Sequence, residues 1–278
     1  MPDSARNPER PRPPRPSAQL RASVALHVAA VGALLWRPAL WPWVLGAVVA
    51  DQLLIAGAGL WPRSRLLGPN VTRLPRAAGP AVALTIDDGP DPEVTPAVLA
   101  LLAAHGAHAT FFCVGERVRR HPDLARAIRA AGHELANHTE HHSMRFSLFG
   151  PRAVAAEVRQ AQETLRAVTG ETSRFFRAPA GLRNPFLEGV LARENLRLVS
   201  WTRRGFDTVT RDPARVLTRL LRRLEGGDIL LLHDGHAART ASGQPVILEV
   251  LPPLLERLAA RALRPVTLHT AFSAAGLA

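Results

Sequence analysis

From Ala81 onward, short apolar runs alternate with stretches of helical periodicity, and most of the runs end in a cluster of polar side chains. Ala81–Ile86 ends in Asp87-Asp88-Gly89-Pro90, Glu134–Ala136 leads into His138-Thr139-Glu140-His141-His142, and Arg174–Arg177 runs into Ala178-Pro179-Ala180-Gly181. Leu196–Trp201 is followed by Asp207, and Ile229–Leu232 by His233. Ala109–Val114 and Pro265–Leu268 add two more runs. Helices are expected at 94–104, 122–131, 151–170, 184–195, 212–224 and 247–261. Apolar runs this short, separated by helices, are the pattern of parallel strands buried on both faces. Six to seven such units in under two hundred residues predict an α/β chain wound into a closed or nearly closed parallel barrel. In that architecture the groups that follow each strand gather at the carboxyl edge of the sheet.

The preceding residues have another character. Residues 1–21, rich in Pro and Arg, are expected to be a disordered tail. Ala22–Trp36 and Ala39–Trp61 are almost wholly apolar, interrupted by Arg37-Pro38 between them and by Asp51 within the second. The second run is long enough to span a bilayer, whereas the first, at roughly 15 residues, is short against the roughly 20 a spanning helix needs. Residues 22–61 are therefore expected to form a membrane anchor or hairpin, with two buried core helices as the plain alternative. Residues 62–79 would be a linker, 80–272 the catalytic unit and 273–278 a tail. Arginines flank both ends of the apolar stretch, so a hairpin with both ends cytoplasmic fits the positive-inside bias. A bacterial-type inner membrane is the implied location.

A formal charge of +12 invites an acidic partner, but all 35 basic residues are Arg, spread along the whole chain. Without a basic stripe, interleaved aromatics or a zinc-finger pattern, nucleic acid is not an expected partner. The one cysteine, Cys113, has no mate and lies in an apolar run, as a small buried hydrophobe would.

Asp87 and Asp88 leave a strand side by side, so their carboxylates should point to opposite sides and do different jobs. His138 and His142, four apart, would share one face of a helical turn, a spacing used when two imidazoles bind one metal. One carboxylate with two imidazoles leaves coordination positions open, as a catalytic metal requires. Taken singly, each feature has a bland reading. A double Asp before Gly-Pro is usually a turn, Arg177 a surface ion-pair partner, Asp207 a loop residue and His233 a strand-end His. Their common place at strand ends gives them weight together.

The ordered set Thr85-Ile86-Asp87-Asp88-Gly89, His138-Thr139 with His142, Arg177-x-Pro179-x-Gly181 and Leu231-x-His233 resembles the signature motifs of the NodB-homology polysaccharide deacetylases, carbohydrate esterase family four. The resemblance covers roughly residues 80–270. It implies a distorted (β/α)-barrel and a metal-dependent hydrolase that removes N-acetyl groups from amino sugars by attack of metal-bound water. Asp88, His138 and His142 would hold a divalent metal, most suitably zinc, with cobalt, manganese or iron as alternatives. Asp87 would be the general base, kept ionised by Arg177. His233, oriented by Asp207, would be the general acid that protonates the leaving amine. A backbone N–H near Ala180 would hold the oxyanion, with Leu231 and Trp201 as the wall for the acetyl methyl.

One segment departs from the family. Where many members carry Asp-x-x-Asp-Trp, this chain has Arg204 in place of the first acid and Thr208 in place of the aromatic. A groove for a long glycan commonly stacks sugars on aromatic faces, and aromatics make up only 5% of this chain. With the apolar N-terminus, this brings in a lipid-linked acylamino sugar as an alternative substrate. Two other readings stay open: an iron- and oxygen-dependent enzyme using the same triad, and a non-catalytic carbohydrate-binding protein on the same fold.

Overall fold

The computed structural model describes residues 16–277, so the Pro/Arg-rich tail before that point lies outside the described residues. Helices α1 (Ala18–Trp36) and α2 (Trp41–Leu60) come first. The order is then β1 (Ala81–Asp87), α3 (Thr95–Ala104), β2 (Thr110–Cys113), α4 (Gly115–Arg120), α5 (Pro122–Ala130), β3 (Glu134–Asn137), α6 (Pro151–Thr169), β4 (Phe175–Phe176), α7 (Leu187–Arg193) and β5 (Arg197–Leu198). The chain continues with β6 (Arg203–Arg204), α8 (Pro213–Leu221), β7 (Ile229–His233), α9 (Val246–Ala260), β8 (Arg264–Val266) and α10 (Leu268–Ser273).

All the strand pairs are parallel, in the order β5-β4-β3-β2-β1-β7-β6, with β8 lying beside the first half of β1. The barrel is distorted and open: β5 and β6 form the two ends of the ladder and share no pairing among the described residues. The strand expected over Leu196–Trp201 is shortened to β5, and β6 follows as a separate strand after Val199–Thr202.

Side-chain parity on β1 explains how the core and the site coexist. Val82, Leu84 and Ile86 face outward into the layer made with α3, α8 and α9, each fully buried and each contributing about 1.5–3 kcal/mol. The alternate residues Ala81 and Ala83 face the barrel interior beside Phe112, Ala136, Phe175 and Ile229. The small alanines leave room at the axis, and the same inward parity carried up the strand brings Thr85 and then Asp87 to the upper edge. On β7, Leu230 and Leu232 likewise pack outward, leaving Leu231 and His233 inward.

The apolar N-terminus is a pair of helices outside this core, each long and apolar enough to cross a membrane. Their alternative as core helices is excluded, since only 6% and 11% of the apolar windows are buried. Ser17 caps α1, so the helix begins at Ala18 instead of after Arg21. Asp51 is buried against the neighbouring helix. It accepts hydrogen bonds from the Ser23 hydroxyl at 2.6 Å and the Gln19 amide at 3.3 Å, which clasp the hairpin together.

The stretch expected as a linker, 62–79, is folded onto the barrel. Leu67 and Leu74 are buried, Val71 bridges Val199, and the Asn70 amide donates to the carbonyls of Pro62 and Ser64. The Ser200 hydroxyl donates to the Pro62 carbonyl at 2.5 Å, and the Arg183 N–H donates to the Gly59 carbonyl at 3.1 Å. The base of the hairpin is therefore attached beside the loop that follows β4.

Candidate active site

Asp87 is the last residue of β1, and its register partner on β7 is His233, the last residue of that strand. Parity turns both inward, so a carboxylate and an imidazole flank the same opening from adjacent strands. Asp88 was expected to point the other way. It does not, because its backbone is left-handed, with φ 74°, a conformation that Asp tolerates better than most residues. That turn brings its carboxylate back over the barrel mouth beside Asp87. Gly89 is required there, since a Cβ would collide with the Asp234 carboxylate behind it.

His138 and His142 also converge, but not through the helical turn expected from their spacing. Residues 138–142 are a loop in which Thr139 (φ 65°) and His142 (φ 51°) are both left-handed. The loop is held by the Thr139 N–H donating to Asn137 Oδ1 and the His142 N–H to Thr139 Oγ1, each at 3.0 Å. The ring centroids lie 4.8 Å apart. His138 Nε2 is 3.2 Å and His142 Nε2 3.1 Å from Asp88 Oδ1. One donor atom from each of the three residues lies within 4.8 Å of the others. His138 Nδ1 lies 2.8 Å from the Arg177 carbonyl, which can only accept. The proton is thereby fixed on Nδ1, and the Nε2 lone pair faces the cavity, as a metal-binding imidazole requires. Burial opposes ionisation of Asp88, but the surrounding imidazoles of His138, His142 and His236 outweigh it and hold the carboxyl well below the usual range. Two imidazoles and an ionised carboxylate suit a divalent cation such as zinc.

Arg177, on the loop after β4, is fully buried beneath the cavity floor. It donates to Asp87 Oδ1 at 2.5 Å, to Thr85 Oγ1 at 2.9 Å and to the Ser200 carbonyl at 3.2 Å, and its guanidinium lies 4.0 Å from the Phe112 ring centroid. With Oδ1 taken by the arginine, Oδ2 of Asp87 is left toward His138 Nε2, 3.8 Å away.

His233 is held from behind. Asp207 Oδ2 accepts the His233 N–H at 2.7 Å, and Oδ1 lies 2.9 Å from Nδ1. Burial disfavours the charged ring, yet the Asp207 carboxylate prevails, aided by Asp87 and Asp88, and the pKa is pushed up to about 9.

These groups surround a cavity of about 520 Å³. Asp87, Asp88, His138, His142, Ala180, Trp201, Leu231 and His233 all line it, while Arg177 and Asp207 stand behind it. Ala180 is left-handed (φ 53°) within the Pro179–Gly181 turn. The next two N–H groups are used, Gly181 on the Ala178 carbonyl and Leu182 on that of Pro179; the Ala180 N–H has no acceptor among the described residues. Trp201, 8% exposed, serves core and wall at once. Its ring edge would lie 2.6 Å from a Cβ at Gly181, another glycine that the packing demands.

Three contributors were not singled out from the sequence. His236 Nδ1 lies 3.3 Å from Asp88 Oδ2, and its Nε2 is 3.1 Å from Arg117. His236 was legible only as a neighbour of His233; Arg117, on α4, carried no signal at all. Asp234, behind Gly89, accepts from Thr95 Oγ1 at 2.6 Å, and burial raises its carboxyl to about 7.

The family profile described as polysaccharide deacetylase matches residues 75–199. A chitooligosaccharide deacetylase of Sinorhizobium fredii is 38% identical over 157 residues, 56% of this chain and 73% of that protein. A peptidoglycan-N-acetylglucosamine deacetylase of Bacillus cereus is 33% identical over 175 residues, 62% of this chain and 81% of that protein. Among solved structures, a family 4 carbohydrate esterase from Streptomyces lividans in complex with acetate superposes with a TM-score of 0.60 at 29% identity. That alignment covers 66% of this chain and 91% of the esterase.

Proposed function

The chain belongs to the polysaccharide deacetylase family, hydrolases of carbon–nitrogen bonds other than peptide bonds, and from that premise we propose that it removes the acetyl group from N-acetylated amino sugars of a glycan with the help of a divalent metal. The observation that carries the reading is the convergence of Asp88, His138 and His142 beside a second carboxylate, Asp87, that a buried arginine holds in place. Those three residues would hold the ion, which when bound supplies a Lewis acid for the amide carbonyl and acidifies water.

The remaining chemistry belongs to the chain. Asp87, with Oδ1 tied to Arg177, presents Oδ2 as the base that takes a proton from the attacking water. The Ala180 N–H, unpartnered among the described residues on a residue that lines the cavity, stabilises the oxygen on which negative charge develops. His233, cationic below about pH 9, delivers a proton to the departing nitrogen, without which an amine leaves poorly. Leu231 and Trp201 form the apolar wall against which the acetyl methyl would rest. In the same reading residues 22–61 anchor the protein in a bacterial-type inner membrane and 80–272 carry the chemistry. Arg21, Arg63 and Arg65 mark the hairpin end nearest the catalytic unit, against Arg37 alone at the tip, which favours the cytoplasmic face for that unit.

Asp87→Asn tests the assignment. Acetate release from an N-acetylglucosamine oligomer should fall by at least about a hundredfold, while zinc, measured by elemental analysis, stays bound. Persistent acetate release in that variant refutes Asp87 as the base. Absence of acetate release by the parent chain with zinc bound favours the non-catalytic carbohydrate-binding alternative.

A further inference from the structure

Next to the catalytic cavity lies a second groove of about 580 Å³, and its charge is one-sided. Arg63, Arg203, Arg204, Arg219, Arg222 and Arg223 line it, with no Asp or Glu among the lining residues. Arg203 is committed to Asp228 at 2.8 Å. The other five make no ion pair among the described residues. Aromatic rings flank two of them, and Arg219 also donates to the Gly205 carbonyl and Thr210 Oγ1. Arg204 lies between Trp201 (5.3 Å to the centroid) and Phe206 (4.9 Å), and Arg219 lies 5.4 Å from the Phe206 centroid. The Nε of Arg204 is buried without a hydrogen-bond partner. So many uncompensated guanidiniums repel one another, and an anionic phosphoryl group relieves that repulsion while its oxygens match their bidentate forks.

The position of the groove says what carries the charge. Trp201 and Arg204 line both this groove and the catalytic cavity, so the two are separated by one shared wall. On its other side Trp61 is shared with an apolar groove along the end of α2, lined by Leu53, Leu54 and Leu66. Catalytic cavity, cationic groove and apolar groove thus follow one another in order from the metal-binding residues to the hairpin. A sugar, a phosphoryl group and a hydrocarbon chain are linked in that same order in a lipid-borne sugar phosphate. Arg204 stands at the junction of the first two compartments.

We propose that the arginine groove binds the phosphoryl link of a lipid-borne N-acylated sugar, so that the substrate is presented from the membrane with its amide in the catalytic cavity. This rests on the deacetylase reading for its sugar end, and the test separates the two. The full chain, loaded with zinc in phosphatidylcholine nanodiscs, is offered N-acetylglucosamine joined to a farnesyl chain through a phosphate or through a neutral ether. Acetate release gives kcat/KM, and calorimetry gives the affinity for each compound and for soluble N-acetylglucosamine 1-phosphate.

The expected result is a preference for the phosphate-linked compound of at least about tenfold, one charge-assisted contact's worth, largely lost in Arg204→Gln and in Arg222→Gln. Arg222 is exposed, so its variant keeps the fold if the Arg204 variant does not. No preference in the parent chain, or one that survives in both variants, overturns the proposal. Phosphate-dependent binding that the variants lose, without acetate release from either compound, upholds the groove and refutes the deacetylase reading. Equal affinity for the soluble 1-phosphate overturns the lipid part. If the variants lose only flotation with phosphatidylglycerol vesicles, the groove is a headgroup anchor and the proposal fails.

Discussion

Replacing Asp207 with Asn should move the titration of His233 further than any other single change. In the parent chain burial lowers the pKa of that imidazole, and the Asp207 carboxylate more than reverses this, from 6.5 to about 9. Asparagine keeps one acceptor for the His233 N–H but removes the counter-charge. Burial, the largest influence, is then opposed only by Asp87 and Asp88, and the pKa should fall to 6.5 or below. At pH 8 the protonated fraction drops from about nine-tenths to about three-hundredths or less, a loss of roughly thirtyfold in a rate that needs the imidazolium.

The same shift is a stability statement. A folded pKa raised above the unfolded one contributes stabilisation that is fully present below pH 6.5 and is lost as pH rises through about 9. Its size is about 3 kcal/mol in the parent chain, and it should be absent in the variant. A cation bound at Asp88 repels the imidazolium, so the titration is best read by NMR of the His233 ring in metal-free protein and paired with pH–rate profiles of the zinc enzyme. An Asp207→Asn ring that titrates where the parent does, or an unshifted alkaline limb of the rate profile, refutes His233 as the proton donor held by Asp207.

Two further outcomes follow from the buried pairings. Arg177→Met leaves Asp87 buried without its counter-charge and should cost about 3–5 kcal/mol, seen as a melting temperature lower by roughly 10 °C; adding Asp87→Asn should recover part of it. His142→Ala should weaken zinc binding by more than about a hundredfold in equilibrium dialysis. His141→Ala should not, because that ring is engaged with Glu157 at 2.8 Å.

Much of this was legible in the sequence, for a specific reason. Strands buried on both faces need continuous apolar runs, so Ala81–Ile86 and Ile229–Leu232 announced themselves, and the polar residues that end them had to sit at the sheet edge. Backbone handedness was not legible. Nothing in the residue types of Asp88 or His142 demands a positive φ, and both were assigned directions from regular strand and helix geometry. Hydrogen bonds from Thr139 to Asn137 and from His142 to Thr139 shape the His142 loop, and the Asp88 N–H donates to the Phe112 carbonyl on the neighbouring strand. The helix α4 was missed because Gly115-Glu-Arg-Val-Arg-Arg120 offers one buried apolar side chain, Val118, and no period. The arginine groove was hidden differently. Arg63 is 140 residues from Arg203, and in a chain with 35 arginines spread throughout, only the fold shows which of them meet.

The attachment of residues 59–71 to the barrel bears on how the enzyme can be handled. The matched family region begins at residue 75, which invites a soluble fragment cut there. Such a cut would remove the Gly59 acceptor of the Arg183 N–H, the Pro62 acceptor of Ser200 and the side chain of Pro62 packed at Gly181. Two of them brace the chain just after Ala180, and the third holds Ser200, whose carbonyl accepts from the Arg177 side chain. Poor turnover by that fragment would reflect a slackened catalytic loop, even toward a water-soluble sugar, and retaining the chain from Gly59 onward is the remedy the fold dictates.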